Sequence, residues 1–230
     1  MKKMMLLCVM CSLLAGFAVA QETTLTRPDG TKYTGQVKDG KPHGKGTLTL
    51  PDGLMYEGQF KDGLPHGNGK FTLPDVGEYT GQFKDAKMHG DGTFTWMDGR
   101  KYVGQFKDGE LSGKGTMTWA DGQKYTGQFK DDNIHGNGTM TWPDGRKYEG
   151  QWEGNDANGN GTMTWPDGRK YTGQFKDGEP DGKGTLTLPD KRKYEVEFKD
   201  GLPHGEGTIY DSKGKVSQKG TFRDGEYIGE

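Results

Sequence analysis

Hydrophobic and polar positions alternate along this chain with a period of two, in short stretches that return at a fixed interval. In Lys147–Glu153, Tyr148, Gly150 and Trp152 share one side, and Glu149 and Gln151 share the other. In Asn160–Trp165, Gly161, Met163 and Trp165 share a side opposite Thr162 and Thr164. Such alternation predicts strands with one apolar and one polar face. Turn signals separate them: Asp39-Gly40-Lys41-Pro42-His43-Gly44 after a first strand, and Pro166-Asp167-Gly168 after a second. In the latter, proline presets φ, aspartate bonds the local backbone and glycine takes the positive φ. Strand, turn, strand and turn make a β-hairpin.

The hairpin is written eight times. Tyr33, Tyr56, Tyr79, Tyr102, Tyr125, Tyr148, Tyr171 and Tyr194 open the copies at 23-residue steps without a slip. A period of this size marks a repeat architecture. Four residues after each tyrosine stand Val37, Phe60, Phe83, Phe106, Phe129, Trp152, Phe175 and Phe198. Fifteen after stand Leu48, Phe71, Phe94, Met117, Met140, Met163, Leu186 and Ile209, and seventeen after stand Leu50, Leu73, Trp96, Trp119, Trp142, Trp165 and Leu188. Glycines recur on that same face, so rings are expected to lie over bare glycine backbone and cover it. The predicted fold is all-β: an elongated, single-layer antiparallel meander of tandem 23-residue hairpins, needing no second layer. About seventeen strands at about 4.8 Å spacing predict a ribbon on the order of 80 Å long.

The ends are read as departures from the repeat. Thr24–Gly30 matches Thr47–Gly53, which places an N-terminal half-repeat in 21–32, eight full repeats in 33–216 and a degenerate half-repeat cap in 217–230. In the cap, Lys219-Gly220-Thr221-Phe222 runs one residue out of phase and lacks the tyrosine, and in the last repeat Val196 replaces a glycine. Terminal units of stacked repeats are atypical because they face water. Residues 1–20 read as a secretory signal peptide: Lys2 and Lys3, a run from Leu6 to Val19 that is apolar apart from Ser12, and Ala18-Val19-Ala20 as the cleavage site. The run is shorter than the roughly 20 residues of a spanning helix. The expected location is secreted, periplasmic or in the cell envelope.

Composition changes the picture in two ways. Hydrophobic residues make up only 29%, with 41 glycines among 230 residues, so no ordinary globular core is available. Both cysteines lie before the expected cleavage site, which leaves a mature chain without disulfide or thiol chemistry. Removing Lys2 and Lys3 leaves 29 basic against 33 acidic residues, a balance that gives nucleic acid no footing.

The recurring Tyr-x-Gly-Gln-Phe-Lys-Asp-Gly-x-x-His-Gly-x-Gly-Thr-x-Thr-Trp-Pro-Asp-Gly resembles the MORN repeat (membrane occupation and recognition nexus), over residues 24 to about 229. The resemblance implies a twisted single sheet of hairpins, and roles in scaffolding, dimerisation and membrane or phosphoinositide association. In plant lipid kinases such repeats precede a kinase domain; no kinase segment corresponds here, so that activity is not carried over.

His43, His66, His89, His135 and His204 share one turn position. Equivalent residues two strands apart stand roughly 10 Å from one another, too far to share a zinc ion, so they are read as turn residues bonding the loop. Aspartates such as Asp39, Asp62 and Asp85 precede turn residues and follow no calcium-loop spacing. No metal, cofactor or catalytic group is expected, and the chain is read as non-enzymatic. Two surfaces are candidate sites. The first is an aromatic groove of Trp96, Trp119, Trp142 and Trp165 with Met117, Met140, Met163, Tyr102, Tyr125 and Tyr148, either packing over glycine or gripping a partner protein, a glycan or a second copy in a homodimer. The second is the opposite face, where Lys101, Lys124, Lys147 and Lys170 offer contacts to anionic lipid or envelope glycan, or serve only solubility and protection of the sheet. The favoured reading is a protein-interaction scaffold, with peripheral membrane or glycan binding as the alternative.

Overall fold

A computed structural model describes residues 22–229 of the chain; the expected signal peptide at 1–20 lies outside the described residues. The half-repeat strand is β1 (Thr23–Thr26). The first four hairpins are β2 (Lys32–Lys38) with β3 (Lys41–Thr49), β4 (Met55–Lys61) with β5 (Leu64–Leu73), β6 (Gly77–Lys84) with β7 (Lys87–Trp96), and β8 (Lys101–Lys107) with β9 (Glu110–Thr118). The next four are β10 (Lys124–Lys130) with β11 (Asn133–Thr141), β12 (Lys147–Glu153) with β13 (Asp156–Thr164), β14 (Lys170–Lys176) with β15 (Glu179–Thr187), and β16 (Lys193–Lys199) with β17 (Leu202–Tyr210). A ninth hairpin, β18 (Val216–Arg223) with β19 (Glu226–Gly229), follows. Every strand pairs antiparallel with its sequence neighbours, giving one open sheet of 19 strands.

Nineteen strands exceed the expected seventeen because the C-terminal cap folds as a hairpin. Its one-residue phase error is absorbed at a bulge: Ile209 pairs with Gln218 but Tyr210 with Val216. The extra residue, Ser217, drops out of register, and Gly220 again faces Gly207 and Phe222 faces Gly205, as in the regular repeats. The first turn is also tighter than expected. It consists of two residues, as in Asp39-Gly40, with φ of 51° and 72°. Two successive positive φ values are the type I′ geometry that matches strand twist, so pairing resumes at once and Lys41–Gly44 belongs to β3. The histidines accordingly sit in strands.

The surplus residues of the second strand form a bulge. Gly35 faces Gly46 and Val37 faces Pro42, so Gln36 stands alone against His43, Gly44 and Lys45. Two repeat residues satisfy the polar groups this frees. The Gln36 side-chain oxygen accepts from the Lys45 amide at 3.0 Å, and the Tyr33 hydroxyl donates to the Gln36 carbonyl at 2.5 Å. The same pair of bonds recurs at Tyr102 and Gln105, Tyr125 and Gln128, and Tyr148 and Gln151. A bond of this kind contributes about 0.5–1.5 kcal/mol, which explains why Tyr-x-Gly-Gln travels as a unit.

The core lies on one face of the sheet. Each tyrosine ring covers two facing glycines: a Cβ on Gly104 would stand 2.5 Å from the Gly115 Cα, and one on Gly115 would stand 2.5 Å from the Tyr102 ring. Each aromatic residue of the next repeat then wedges edge-on between two tyrosines. Fourteen rings from Tyr33 to Phe198 form an unbroken zigzag, with centroids 4.8–5.5 Å apart and planes at 78–89°. Edge-to-face pairs contribute about 0.5–1.5 kcal/mol each beyond area burial. Where Trp152 takes the phenylalanine place, its indole N–H donates to the Gly138 carbonyl at 3.3 Å. The zigzag stops where Val196 occupies the glycine site, stands within 2.5 Å of where a Gly207 Cβ would be, and leaves Tyr194 half-buried.

Candidate interaction face

Both long edges of the sheet are lined by turns that lock one repeat to the next. At one edge the turn-tip amide donates to a carbonyl one repeat back: Gly63 to Pro42, Ala86 to Pro65, Gly109 to Met88, Gly178 to Ala157 and Gly201 to Pro180, all at 2.9–3.0 Å. The histidines lie beside these bonds. Nδ1 of His43, His66, His89 and His204 stands 3.5–4.0 Å from the carboxylate of Asp62, Asp85, Asp108 and Asp224 respectively. The histidine partner is thus the aspartate of the following turn. Among the described residues, no three His, Cys, Asp or Glu gather closely enough to hold a metal ion.

At the other edge stand the Asp-Gly turns, most of them preceded by proline. Asp98 accepts from the Arg100 amide, as Asp144 does from Arg146 and Asp167 from Arg169, which holds these carboxyls below the usual range; the arginine side chains add to the effect. The guanidinium groups of Arg100, Arg146 and Arg169 also lie 4.9–5.2 Å over the rings of Trp96, Trp142 and Trp165. Trp96, Trp142 and Trp165 are each held from the solvent side by the arginine of their own turn. Trp119 has Gln123 at the arginine position and carries no such cover.

The expected groove residues divide sharply. Tyr102, Tyr125 and Tyr148 have no exposed surface (0%), and Met117 and Met140 are buried. These residues form the floor that holds glycine backbone in place and have no surface to offer a partner. The four tryptophans and Met163 are partly exposed. Lys101, Lys124, Lys147 and Lys170 are exposed on the opposite face, among threonines such as the bonded pair Thr116–Thr126. Lys147 is neutralised there by Glu149 at 3.0 Å.

A concavity of the apolar face lies further toward the N-terminus. An open groove of about 850 Å³ spans the first three hairpins, lined by Leu25, Leu48, Leu50, Leu54, Pro65 and Phe71, with Arg27, Asp29, Lys41 and Asp62 at its rim. Its cause is visible in the repeat: where the central copies carry tryptophan, this end carries Arg27, Leu50 and Leu73, and no ring fills the edge. Among the described residues no helix is long and apolar enough to cross a membrane.

The profile of the MORN repeat matches eight times, at residues 33–55, 56–75, 79–99, 102–124, 125–145, 148–168, 171–191 and 194–216. No curated protein matches the chain. Among solved structures, the G-box domain of the microcephaly protein CPAP is similar at 16% identity and a TM-score of 0.45, over 88% of this chain and 100% of that one. The SAS-4 TCP domain of Drosophila melanogaster, in complex with a proline-rich motif of Ana2, is similar at 14% identity and a TM-score of 0.41, over 80% and 94%. The TCP10 domain of Danio rerio CPAP, in complex with a STIL peptide, reaches 19% identity and a TM-score of 0.38, over 88% and 100%. Likeness this distant carries no argument about binding. With its tyrosines, facing glycines and turns in register through eight consecutive matches, this chain belongs to the MORN repeat family.

Proposed function

We propose that the chain is a non-enzymatic scaffold of the cell exterior or envelope that holds a partner polypeptide on its apolar face. One observation carries the reading: the face is covered by rings along the centre but stays open as an apolar groove over the first three hairpins. Open apolar surface of this extent marks interaction sites. A polar rim of Arg27, Asp29, Lys41 and Asp62 supplies the groups that orient a bound chain. The half-exposed row of Trp119, Trp142 and Trp165 continues the same face and extends the contact. The lysine face supports lipid or glycan binding less well, because threonines and acidic residues such as Glu149 interleave its cations, and exposed charges about 10 Å apart are screened at physiological salt.

Site-specific photocrosslinking in cells tests this. A photoreactive side chain at Leu50 or Trp142 is expected to capture one polypeptide, and the same group at Lys124 none. Capture confined to Lys124, and to lipid or polysaccharide, would replace the scaffold reading with the alternative. The export part rests on residues 1–20 and is read directly by Edman sequencing: the mature protein is expected to begin at Gln21, and a cell-associated chain still beginning at Met1 would contradict it.

A further inference from the structure

We propose that copies of this chain join head to tail through β1 and the β18–β19 hairpin, so that the sheet of one copy continues into the next. The surface is distinct from the groove and independent of what the groove binds. Three features of the two ends match one another.

The first is a divided strand. In a complete hairpin the second strand pairs along its whole length, as β3 does with β2 from Lys41 to Thr49. Among the described residues, β19 covers only the start of that path, opposite Arg223, Phe222 and Thr221. β1 is the remainder. Its residues Thr23–Thr26 pair with Gly35, Thr34, Tyr33 and Lys32 in the way Gly46–Thr49 of β3 pair with Gly58, Glu57, Tyr56 and Met55. Its other edge has no neighbour among the described residues. Laid beside β18 of a second copy in the repeat register, Thr23 stands opposite Gly220, Thr24 opposite Lys219 and Leu25 opposite Gln218.

The second is the row of turn-tip bonds. Each tip from Gly63 to Gly225 donates its amide to the carbonyl one repeat back. Among the described residues, the first tip, Gly40, has no earlier repeat to meet. At the other end the equivalent acceptor is the carbonyl of Tyr227, which no later tip meets among the described residues. Head-to-tail joining brings the Gly40 amide of one copy to the Tyr227 carbonyl of the other.

The third is the opposite edge. The glycine of each Pro-Asp-Gly turn stands against the proline of the next: a Cβ on Gly30 would meet Pro51 at 3.3 Å, on Gly53 Pro74 at 3.1 Å, and on Gly145 Pro166 at 3.1 Å. Gly214, the last glycine of this series, meets nothing within 4 Å. The residue that continues the series in a joined sheet is Pro28 of the second copy.

The C-terminal hairpin also exposes the apolar side chains of Val216, Tyr227 and Ile228. In the single chain, the Tyr227 hydroxyl donates to the Lys219 carbonyl at 3.0 Å and its ring stands beside Gly220. Tyr227 and the backbone of Gly229 thus cap the edge that β1 takes, and both must swing aside for the sheets to join. Edge strands left unpaired add a further strand readily. Because the two joining surfaces differ, the contact is heterologous and builds rings or open chains.

The test uses the full chain with Cys8→Ser and Cys11→Ser, carrying Thr24→Cys in one preparation and Lys219→Cys in another. Both sites are exposed on the polar face, so neither change disturbs packing. Facing residues of an antiparallel pair lie within disulfide reach. Mixing the two preparations under mild oxidation is expected to give a mixed disulfide dimer well in excess of either homodimer, and a chain carrying both cysteines is expected to give a ladder of multimers. Homodimers in equal yield, no disulfide at all, or a single sedimenting species at every concentration would overturn the proposal. Adding Leu50→Asp, which spoils the groove, is expected to leave the mixed disulfide unchanged; its loss would overturn the independence of the two surfaces.

Discussion

A tyrosine ring and the two glycines beneath it form the smallest unit of this fold, and the space between them admits no methyl group. Gly115→Ala sets a Cβ against the Tyr102 ring and is expected to destabilise the protein by about 1–3 kcal/mol. Thr118→Ala on the polar face should stay within about 0.5 kcal/mol; urea unfolding compares the two. Ala86 shows the opposite case. It occupies a turn position with φ of 66°, where most copies have glycine. Asp132 and Asn155 fill the same position but use their side chains to accept from the Leu111 and Ile134 amides one repeat back, at 2.8 and 2.9 Å. Alanine has no such group, and a left-handed conformation costs an L-residue about 1–2 kcal/mol. Ala86→Gly is therefore expected to raise the melting temperature, the gain reduced by the added freedom of the unfolded chain. Tyr56, Tyr79, Tyr102, Tyr125, Tyr148 and Tyr171 are pushed up to about 12 by burial of the hydroxyl. Below the ordinary value of 10 both states keep the proton and stability does not depend on it. Between 10 and 12 the unfolded chain ionises first, so stability falls by about 1.4 kcal/mol per pH unit for each ring. Phenolate absorbance should rise in a late step that coincides with loss of the sheet signal in circular dichroism. Ionisation of all these rings near pH 10 with the sheet intact would contradict the burial.

The hairpin is the scale at which the sequence was most legible and also where it misled. Strand identity and the apolar face follow from period two. The Pro-Asp-Gly turns follow from the chemistry of Asp144 and Asp167, which bond the Arg146 and Arg169 amides as expected. The bulge could not be read that way, because alternation counts residues along one strand and a bulge is a mismatch between two. Alternation therefore sets Gln151 on the polar side with Glu149 and no more, although the Gln128 and Gln151 side chains each accept from a backbone amide of the bulge. The missed signal was the surplus between the Asp-Gly turn and the second alternating stretch. Gln128→Ala leaves the Asn137 amide without its acceptor and is expected to cost about 1 kcal/mol. Gln128→Glu keeps an acceptor and should recover most of that loss in the same unfolding assay.

Over the whole molecule, the site was partly legible. The row of tryptophans was visible by position, and its rings are half-buried. The burial of Tyr102, Tyr125 and Tyr148 beneath it required knowing that tyrosine, not tryptophan, lies over glycine. The groove over the first three hairpins arises from what is missing there, a ring at Leu50 and Leu73, and absence of bulk gives no alternation signal. Each repeat touches only its neighbours, so stability should be close to a sum of unit and interface terms. The account depends above all on a single layer of strands enclosing its own core. Small-angle X-ray scattering, extrapolated to zero concentration to remove association, tests it most directly. Nineteen strands in one sheet predict a maximum dimension of roughly 85 Å and a radius of gyration well above the roughly 17 Å of a compact chain of this length. A radius near 17 Å, with a symmetric distance distribution, would contradict it.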